Sequence, residues 1–169
     1  MSTTVETVPA ATILMLRDGE AGLEVFMVVR HHQIDFASGA LVFPGGKVDA
    51  GDSLVRDRCQ GADADDVNMS LQVGAIREAF EECGILLARE AGSDKLISGE
   101  RLKVLDAYRE PLNSDEISIG DFLEKEDLYL ACDLLHHYAH WITPDMMPKR
   151  FDTHFYLAVA PADHLAIHD

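Results

Sequence analysis

The chain has 169 residues, of which 47% are hydrophobic and 26% charged, and its formal net charge is −16. This composition is ordinary for a soluble domain with a core of its own, while the strong negative charge argues against a nucleic acid or an anionic membrane surface as a partner. No apolar run reaches transmembrane length, and three widely spaced cysteines (Cys59, Cys83 and Cys132) indicate free thiols in a reducing compartment, the cytoplasm.

Strand signals dominate the first part of the chain. We predict that residues 1–8 form a frayed tail and that residues 9–169 form a single domain. Two apolar runs of strand length, 10–17 and 23–30, predict two strands. A mixed loop is predicted at 31–40 and a short strand at 41–43. The short strand leads directly into two glycines, Gly45 and Gly46.

A long helix is the next regular element. The polar stretch 49–66 predicts a loop with a helical turn around 53–58, after which the helix begins near Asp65 or Ser70 and ends at Glu82 or Cys83. Gly84 supplies the C-terminal stop signal. The residues expected on the inner face of this helix are Val67, Leu71, Gly74 or Ala75, Ile76 and Phe80.

The second half of the chain mixes helices and strands. Residues 85–89 either prolong the long helix or begin a strand, and residues 95–127 are predicted to be mainly helical. A strand is expected to end near residue 143, and the alternation at 151–160 predicts another. Strands with intervening helices predict an α+β or α/β domain.

Three glutamates share one face of the long helix. Glu78, Glu81 and Glu82 stand at positions i, i+3 and i+4, which are neighbours on an α-helix. Two carboxylates about 5–6 Å apart repel each other by roughly 3 kcal/mol at an effective dielectric constant of about 20. A divalent cation turns this repulsion into binding, and oxygen donors suit Mg²⁺ or Mn²⁺. The alternative is a solvated helix face on which Arg77 simply pairs with Glu81.

Two linked segments resemble the signature of the Nudix hydrolases. Residues 43–52 read FPGGKVDAGD and residues 77–85 read REAFEECGI; Gly46 matches the opening glycine of the signature, and the second segment matches its closing half. Asp52 stands where the signature has a glutamate, and the stretch 53–70 lengthens the spacer. A branch of the family that includes coenzyme A diphosphatases also carries a long insertion here, and WITP at 141–144 and RFDTHF at 150–155 resemble its downstream motifs.

The resemblance implies a Nudix fold, a mixed β-sheet sandwiched between helices, here with a helical insertion after the catalytic helix. It also implies hydrolysis of a nucleoside diphosphate linked to another moiety, with coenzyme A or an acyl-CoA as candidate substrates and Mg²⁺ or Mn²⁺ as cofactor. Metal binding is then assigned to Glu78, Glu81 and Glu82, and catalytic roles to Glu81, Glu82 and Arg77. The alternative is a non-catalytic nucleotide-binding sensor. The sequence does not identify the general base.

Other residues are assigned to substrate binding. Gly45 and Gly46 permit a close approach of the backbone to a ligand. Arg150 either binds a substrate phosphate in bidentate fashion or forms a pair with Asp152 or another acid. Phe43 either stacks on a base or packs in the core. The role of Asp52 is left open.

The motif His136-His137-x-x-His140 invites a zinc interpretation. Neighbouring histidines in a strand face opposite ways, and the cysteines of the chain stand in no ligand pattern that would make one a partner, so core or surface histidines are expected instead. At the end of the chain, residues 161–169 leave no room for the further strand and helix with which a Nudix fold normally finishes. An apolar face left uncovered in this way would favour a homodimer.

Overall fold

The structure is a computed structural model that describes residues 5–29 and 39–164. Within these residues the strands are β1 (Thr7–Gly19), β2 (Gly22–Val25), β3 (Val28–Val29), β4 (Leu41–Val42), β5 (Gly45–Lys47), β6 (Cys59–Gln60), β7 (Ala88–Glu90), β8 (Leu128–Ala131), β9 (His136–Ile142) and β10 (Arg150–Val159). The α-helices are α1 (Asp66–Cys83), α2 (Gly99–Leu105), α3 (Arg109–Asn113) and α4 (Ile119–Glu126). None of the described helices is long and apolar enough to cross a membrane.

β1 is central to the main sheet. It runs parallel to β10, with Thr7 opposite Arg150 and Leu16 opposite Val159, and antiparallel to β2 and β5. β9 pairs antiparallel with the far side of β10, so the strand order is β2-β1-β10-β9 with β5 also beside β1. This mixed sheet, together with its helices, confirms the predicted α/β class.

Alternation along β1 determines which face of the sheet is covered. Ala11, Ile13 and Met15 are fully buried, as expected when every second side chain points into the core. α1 packs against this strand. β1 begins at Thr7, so the frayed tail predicted to reach residue 8 extends too far: Thr7 and Val8 already pair with β10.

α1 has the ends that the sequence predicts. Asp65 caps its N-terminus by accepting hydrogen bonds from the N–H groups of Val67 and Asn68, and Gly84 closes it in the left-handed conformation with φ of 66°. Residues 69–77 are all buried, because β1 and β5 pack on one side of the helix while α3 and short helical turns pack on others.

The prediction of the inner face of α1 is wrong at one residue. Val67 is 65% exposed, because it lies in the first turn, ahead of the packed stretch that begins at Met69. The remaining residues of that prediction are buried: Leu71, Gly74, Ala75, Ile76 and Phe80.

The polar stretch before α1 is more ordered than the loop that its sequence predicts. The expected helical turn is present as two 3-10 turns, Ala50–Leu54 and Arg56–Arg58. β6 then pairs in parallel with β8, and β7 pairs antiparallel with the other edge of β8. The three strands form a second sheet of order β6-β8-β7. A strand of two residues is too short to show alternation, so its pairing could not be predicted.

The remaining elements follow the predictions in outline. The helical segment expected at 95–127 is found as α2, α3 and α4, and residues 85–89 lead into β7 instead of prolonging α1. The strand expected at 23–30 is divided between β2 and β3, and β3 pairs with β4. Residues 30–38, in which most of the loop at 31–40 was predicted, lie outside the described residues.

Candidate active site

The glutamates of α1 lie at its C-terminal end. Glu78 and Glu81 are largely covered, with side-chain exposures of 15% and 6%, whereas Glu82 is exposed. Arg109 of α3 holds this end of the helix, because its guanidinium donates to the carbonyl oxygens of Phe80, Glu81 and Glu82. The Phe80 carbonyl also accepts the Gly84 N–H at 2.9 Å, whereas the carbonyls of Glu81 and Glu82 belong to the last turn, where a helix leaves such groups without internal partners. Arg109 therefore fixes the turn on which the glutamates stand.

The glycine loop lies directly against this helix end. Gly45 donates its N–H to Glu82 Oε2 at 3.0 Å. A Cβ atom on Gly46 would lie 2.4 Å from Glu78 Oε1, and one on Gly45 would lie 2.5 Å from the carbonyl oxygen of Ala11. Glycine is therefore required at Gly45, where a Cβ atom would meet the backbone of β1, and at Gly46 it leaves the space that the Glu78 carboxylate occupies.

Arg77 is the buried cation of the site, with a side-chain exposure of 5%. Its Nε and Nη2 donate to the two carboxylate oxygens of Asp52 at 2.9 and 3.1 Å, and Nη2 also donates to the Lys47 carbonyl at 2.8 Å. Such a two-pronged contact with a carboxylate is strong and directional. It ties the polar stretch and β5 to α1.

Asp52, whose role the sequence left open, is an internal partner of Arg77. It is 0% exposed, and its Oδ2 also accepts a hydrogen bond from the Asp49 N–H at 2.9 Å. A Cβ atom on Gly74 would lie 3.1 Å from this same oxygen. The glycine in the middle of α1 therefore provides the space that the carboxylate occupies.

Negative charge exceeds positive charge around Arg77. Its guanidinium contacts four carboxylates, those of Asp49 at 3.3 Å, Asp52 at 2.9 Å, Glu78 at 3.2 Å and Glu81 at 3.1 Å. Together with Glu82 these residues form the acidic cluster. Burial raises the pKa of Glu78 to about 7, and the charges of Glu81 and Glu82 contribute to the rise while Arg77 opposes it. Burial also raises the pKa of Glu81. A bound cation would relieve this crowding.

The donor set of the acidic cluster fits the metal that the sequence resemblance implies. Glu78, Glu81 and Glu82 offer only carboxylate oxygens, which Mg²⁺ and Mn²⁺ prefer. The missing side chain of Gly46 leaves room for the carboxylate of Glu78. The cluster can therefore hold a hard divalent cation next to a loop that a phosphate could approach.

The other two residues assigned to substrate are placed differently. Arg150 lies beside the turn between β9 and β10, where it donates to the carbonyl oxygens of Thr143 at 3.0 Å and Val5 at 2.7 Å and pairs with Asp145 at 2.5 Å. These contacts match the alternative in which Arg150 pairs with an acid, and that acid is Asp145 instead of Asp152. Phe43 is half-buried immediately before the glycine loop.

Two contributions to the site were missed by reasoning from the sequence. Arg109 closes the end of α1 from 27 residues beyond Glu82, and Asp49 joins Arg77 from the loop. A basic residue near a helix C-terminus is a recognised signal, but it applies to neighbours in sequence. Arg109 reaches the helix end only through tertiary packing.

A strand, a glycine loop and an acidic helix joined in this way define an α/β domain with a cluster of carboxylate oxygens next to a glycine loop. Comparisons with known proteins agree with this class. A family model described as the NUDT19 Nudix domain matches residues 54–165. The chain therefore belongs to the Nudix hydrolase family.

Two relatives support this assignment. "Putative nudix hydrolase 7" of Caenorhabditis elegans is 28% identical over 133 residues, which make up 79% of this chain and 38% of that protein. The crystal structure of a NUDIX hydrolase from Alicyclobacillus acidocaldarius aligns with a TM-score of 0.72 and 29% identity, and covers 97% of this chain and 77% of that chain. The chain thus spans 38% of the length of the C. elegans relative.

Proposed function

We propose that this chain hydrolyses the pyrophosphate bond of a nucleoside diphosphate linked to another moiety, and that it uses Mg²⁺ or Mn²⁺. The observation that carries the proposal is the acidic cluster, in which four carboxylates share one guanidinium. A pyrophosphate is shielded from nucleophiles by its own negative charge. An acidic site can therefore act on it only with cations between the two sets of oxygens.

The proposed roles follow from the contacts of each side chain. Glu78, Glu81 and Glu82 would hold the metal, which when bound neutralises phosphate oxygens and makes water a better nucleophile. Glu82 is the most accessible of the three, and the Gly45 N–H fixes one of its oxygens. Arg77 cannot act as a base, because a guanidinium keeps its proton.

Arg77 instead positions the acids that do the chemistry. Its Nη1 donates to both carboxylate oxygens of Glu81 at 3.1 Å and to Glu78 Oε1 at 3.2 Å. These contacts fix the orientation of the Glu81 carboxylate, a group that can accept a proton from an attacking water. Glu81 and Glu82 are accordingly the proposed catalytic carboxylates of the helix, and Arg77 is proposed to support them.

We extend the proposal to coenzyme A or an acyl-CoA as substrate. The support is the long stretch 53–70 between the loop and the helix, and the resemblance of residues 141–144 and 150–155 to motifs of the coenzyme A diphosphatase branch. In the structure these two motifs are the end of β9 and the start of β10. Arg150 holds the turn between them through Asp145 and Thr143.

A non-catalytic nucleotide sensor is the second candidate. The observation that favours it is the placement of Asp52, which stands where the family signature has a glutamate. Its carboxylate is fully buried and engaged by Arg77 and by the Asp49 backbone. The loop therefore offers one carboxylate fewer to a cation than the signature would.

We also propose that the protein is cytoplasmic and forms a homodimer. Cys59, Cys83 and Cys132 are free thiols, which suits a reducing compartment. Trp141 is 71% exposed and Ile142 51% exposed at the edge of the main sheet, and a second copy would cover such apolar side chains. Light scattering tests the dimer, and a mass of one chain, 18.6 kDa, would contradict it.

A hydrolysis panel tests the proposed activity. Coenzyme A, ADP-ribose, NADH and dinucleoside polyphosphates are incubated with the protein and Mg²⁺ or Mn²⁺, and released phosphate-containing products are measured. At least one substrate is expected to be cleaved, and chelation of the metal should abolish the cleavage. Failure on every substrate, with nucleotide binding retained, would replace the enzyme with the sensor.

A pair of variants tests the assignment of the site. Glu82→Gln keeps the shape of the side chain and removes its charge, so kcat/KM is expected to fall on the order of 100-fold. Glu100→Gln is the matched control, because Glu100 has a side-chain exposure of 86% and pairs with Lys103 on the surface of α2. Equal activity of the Glu82 variant and the wild type would remove Glu82 from the site.

A further inference from the structure

Four polar side chains meet at the edge of the main sheet. His137 and His140 stand on β9, Asp152 and His154 stand on β10, and together they form the edge cluster. His140 Nε2 contacts Asp152 Oδ1, and His154 Nε2 lies 3.8 Å from the same oxygen. His137 Nε2 lies 3.0 Å from His154 Nδ1. The rings of His140 and His154 stack with their centroids 4.0 Å apart.

Strand register brings three of these residues together. His140 and His154 are direct partners across β9 and β10, so their side chains leave the sheet on the same face. Asp152 stands two residues before His154 in β10 and therefore shares that face. Three donor groups from two strands are placed side by side by backbone pairing alone.

A β-bulge adds the fourth residue. The pairing of β9 with β10 shifts between Phe155 and Tyr156, so His137 lies opposite Tyr156 and its ring stands at right angles to the ring of that tyrosine, 5.5 Å away. A bulge turns the side chains that follow it. It allows His137, three residues from His140, to reach His154.

The spacing of the donor atoms suits one metal ion. One ligand atom from each of His140, Asp152 and His154 lies within 4.8 Å of the others. Zinc binds imidazole nitrogen and carboxylate oxygen at about 2.0–2.2 Å, so its ligands lie roughly 3–4 Å from one another. Side-chain exposures of 41%, 34% and 20% leave room for the small rotations that close this gap and for an ion to enter.

The kind of donor selects the kind of ion. Two imidazole nitrogens and one carboxylate oxygen favour Zn²⁺ and similar transition ions over Mg²⁺. His137 contributes by holding Nδ1 of His154, so that Nε2 of the same ring is directed at Asp152. A hydrogen bond to the second ring nitrogen is the usual means by which a metal-binding histidine is oriented.

We propose that His140, Asp152 and His154 bind one divalent transition-metal ion, Zn²⁺ in particular, and that His137 positions His154 for this task. The ion joins β9 to β10 and keeps a further coordination position for water or another ligand. This interpretation differs from the expectation at the sequence level of core or surface histidines, because His154 and Asp152 of β10 supply the partners that the motif on β9 lacks.

The edge cluster shares no residue with the acidic cluster. Ala11 of β1 pairs with Gly46 on one side and with His154 on the other, and neighbouring strands lie about 4.8 Å apart. The backbone of His154 is therefore roughly 10 Å from the glycine loop. The two clusters share no ligand, so we expect their ions to bind independently.

Calorimetric titration with ZnCl₂ in excess Mg²⁺ tests the proposal. The wild type is expected to bind one equivalent of Zn²⁺ that a Glu78→Gln/Glu82→Gln double variant retains, because this ion is not held by α1. His140→Gln and His154→Gln should lower the affinity for that equivalent more than about 100-fold, which exceeds the 10–100-fold effect of losing an orienting partner. His137→Gln should lower it only about 10-fold.

His136→Gln is the matched control. His136 precedes His137 in β9 and is exposed, and successive strand residues leave on opposite faces. Its replacement should leave the zinc affinity unchanged. The proposal is overturned if the His154 variant binds Zn²⁺ as the wild type does, if the His136 variant loses as much affinity as the His154 variant, or if the α1 double variant loses all zinc binding.

Co²⁺ provides a second measurement that does not depend on counting equivalents. A four-coordinate site with nitrogen ligands gives strong visible absorption, whereas six oxygens give weak absorption. The band is expected in the wild type and in the α1 double variant, and it should disappear in His154→Gln. Zn²⁺ at about 100 times its dissociation constant should also raise the melting temperature by about 5–10 °C. A wild type without the band and without the rise would overturn the proposal.

Discussion

The acidic cluster under α1 and the edge cluster on β9 and β10 place ionisable groups in very different surroundings. In the first, the Arg77 side chain is 5% exposed and Asp52 is 0% exposed; in the second, the side chains of His140 and Asp152 are 41% and 34% exposed. A buried charge must be matched by a partner for the chain to fold, whereas water screens an exposed one. The acidic cluster is therefore expected to stabilise the fold as well as to serve the proposed chemistry, and the edge cluster is expected to serve the proposed metal binding alone.

The largest effect on stability is expected when the buried cation is removed. Arg77→Met leaves Asp52 without its partner inside the protein, and the free energy of unfolding is expected to fall by about 3–5 kcal/mol. Urea denaturation measures the fall. Arg17→Met is the control, because Arg17 pairs with Glu24 at a side-chain exposure of 70% and should matter by less than about 1 kcal/mol. Similar losses in both variants would contradict the distinction between buried and exposed pairs.

The glycine loop should show the next largest effect. In Gly45→Ala the new Cβ would lie 2.5 Å from the Ala11 carbonyl oxygen and 2.7 Å from the Cα atom of Thr12, and a loss of about 1–3 kcal/mol is expected from the forced shift of backbone. Gly22→Ala is the control, since φ is positive at both glycines, 157° at Gly45 and 125° at Gly22, but a Cβ atom on Gly22 would meet nothing within 4 Å. The difference between the two losses measures the contact with β1, and no difference would mean that the loop does not need it.

A smaller effect with a definite sign is expected in the middle of α1. Alanine is a better helix former than glycine by about 1 kcal/mol, but Gly74→Ala places a Cβ 3.1 Å from Asp52 Oδ2. Arg77 and the Asp49 N–H hold that oxygen in place, so we expect the variant to be destabilised. In an Asp52→Ala background the same change should stabilise the helix by up to about 1 kcal/mol.

The quantity to measure in this double-mutant cycle is the change in the free energy of unfolding caused by Gly74→Ala, which should have opposite signs in the wild type and in the Asp52→Ala background. Gly120→Ala in α4 provides a reference, because its nearest contact is an ordinary 3.4 Å to Val55 Cγ1. If Gly74→Ala stabilises the wild type as much as it stabilises the Asp52 variant, the carboxylate is free to move and the packing described here is wrong.

The edge cluster should show the smallest effect on stability. In the presence of a chelator, His140→Ala is expected to change the free energy of unfolding by less than about 0.5 kcal/mol, because the side chain is half-exposed and its partners remain hydrated. Thermal unfolding with and without Zn²⁺ measures both states. The same variant should lose the stabilisation by zinc, and a large loss in the absence of metal would show that this cluster supports the fold as well.

Local geometry explains what the sequence predicted correctly. The helix repeat places Glu78, Glu81 and Glu82 on one face whatever surrounds them, and the capping signals at Asp65 and Gly84 act within a few residues. The mixed α/β class followed from strands alternating with helices. These features depend on neighbours in the chain, so they are visible in one sequence.

Contacts between distant segments explain what was missed. Arg77 and Asp52 are 25 residues apart, and only the three-dimensional fold shows that one holds the other. His140 meets His154 because of strand register, and His137 joins them through a bulge. β6 was taken for a loop, since two residues carry too little pattern. Each of these contacts depends on which distant segments pair in the fold, and the hydrophobic periodicity of one sequence does not specify that.

The parallel pairing of β1 with β10 has a consequence for folding kinetics. Thr7 is matched with Arg150 and Leu16 with Val159, so the centre of the main sheet joins residues separated by nearly the whole described chain. Loop closure over such a distance carries an entropic penalty that is met before the contacts form, and non-local pairing of this kind slows folding. During synthesis, β1 leaves the ribosome long before β10, so Ile13 and Met15 stay exposed to solvent until β10 has been made. We expect refolding of the isolated chain to be slow and sensitive to protein concentration for this reason.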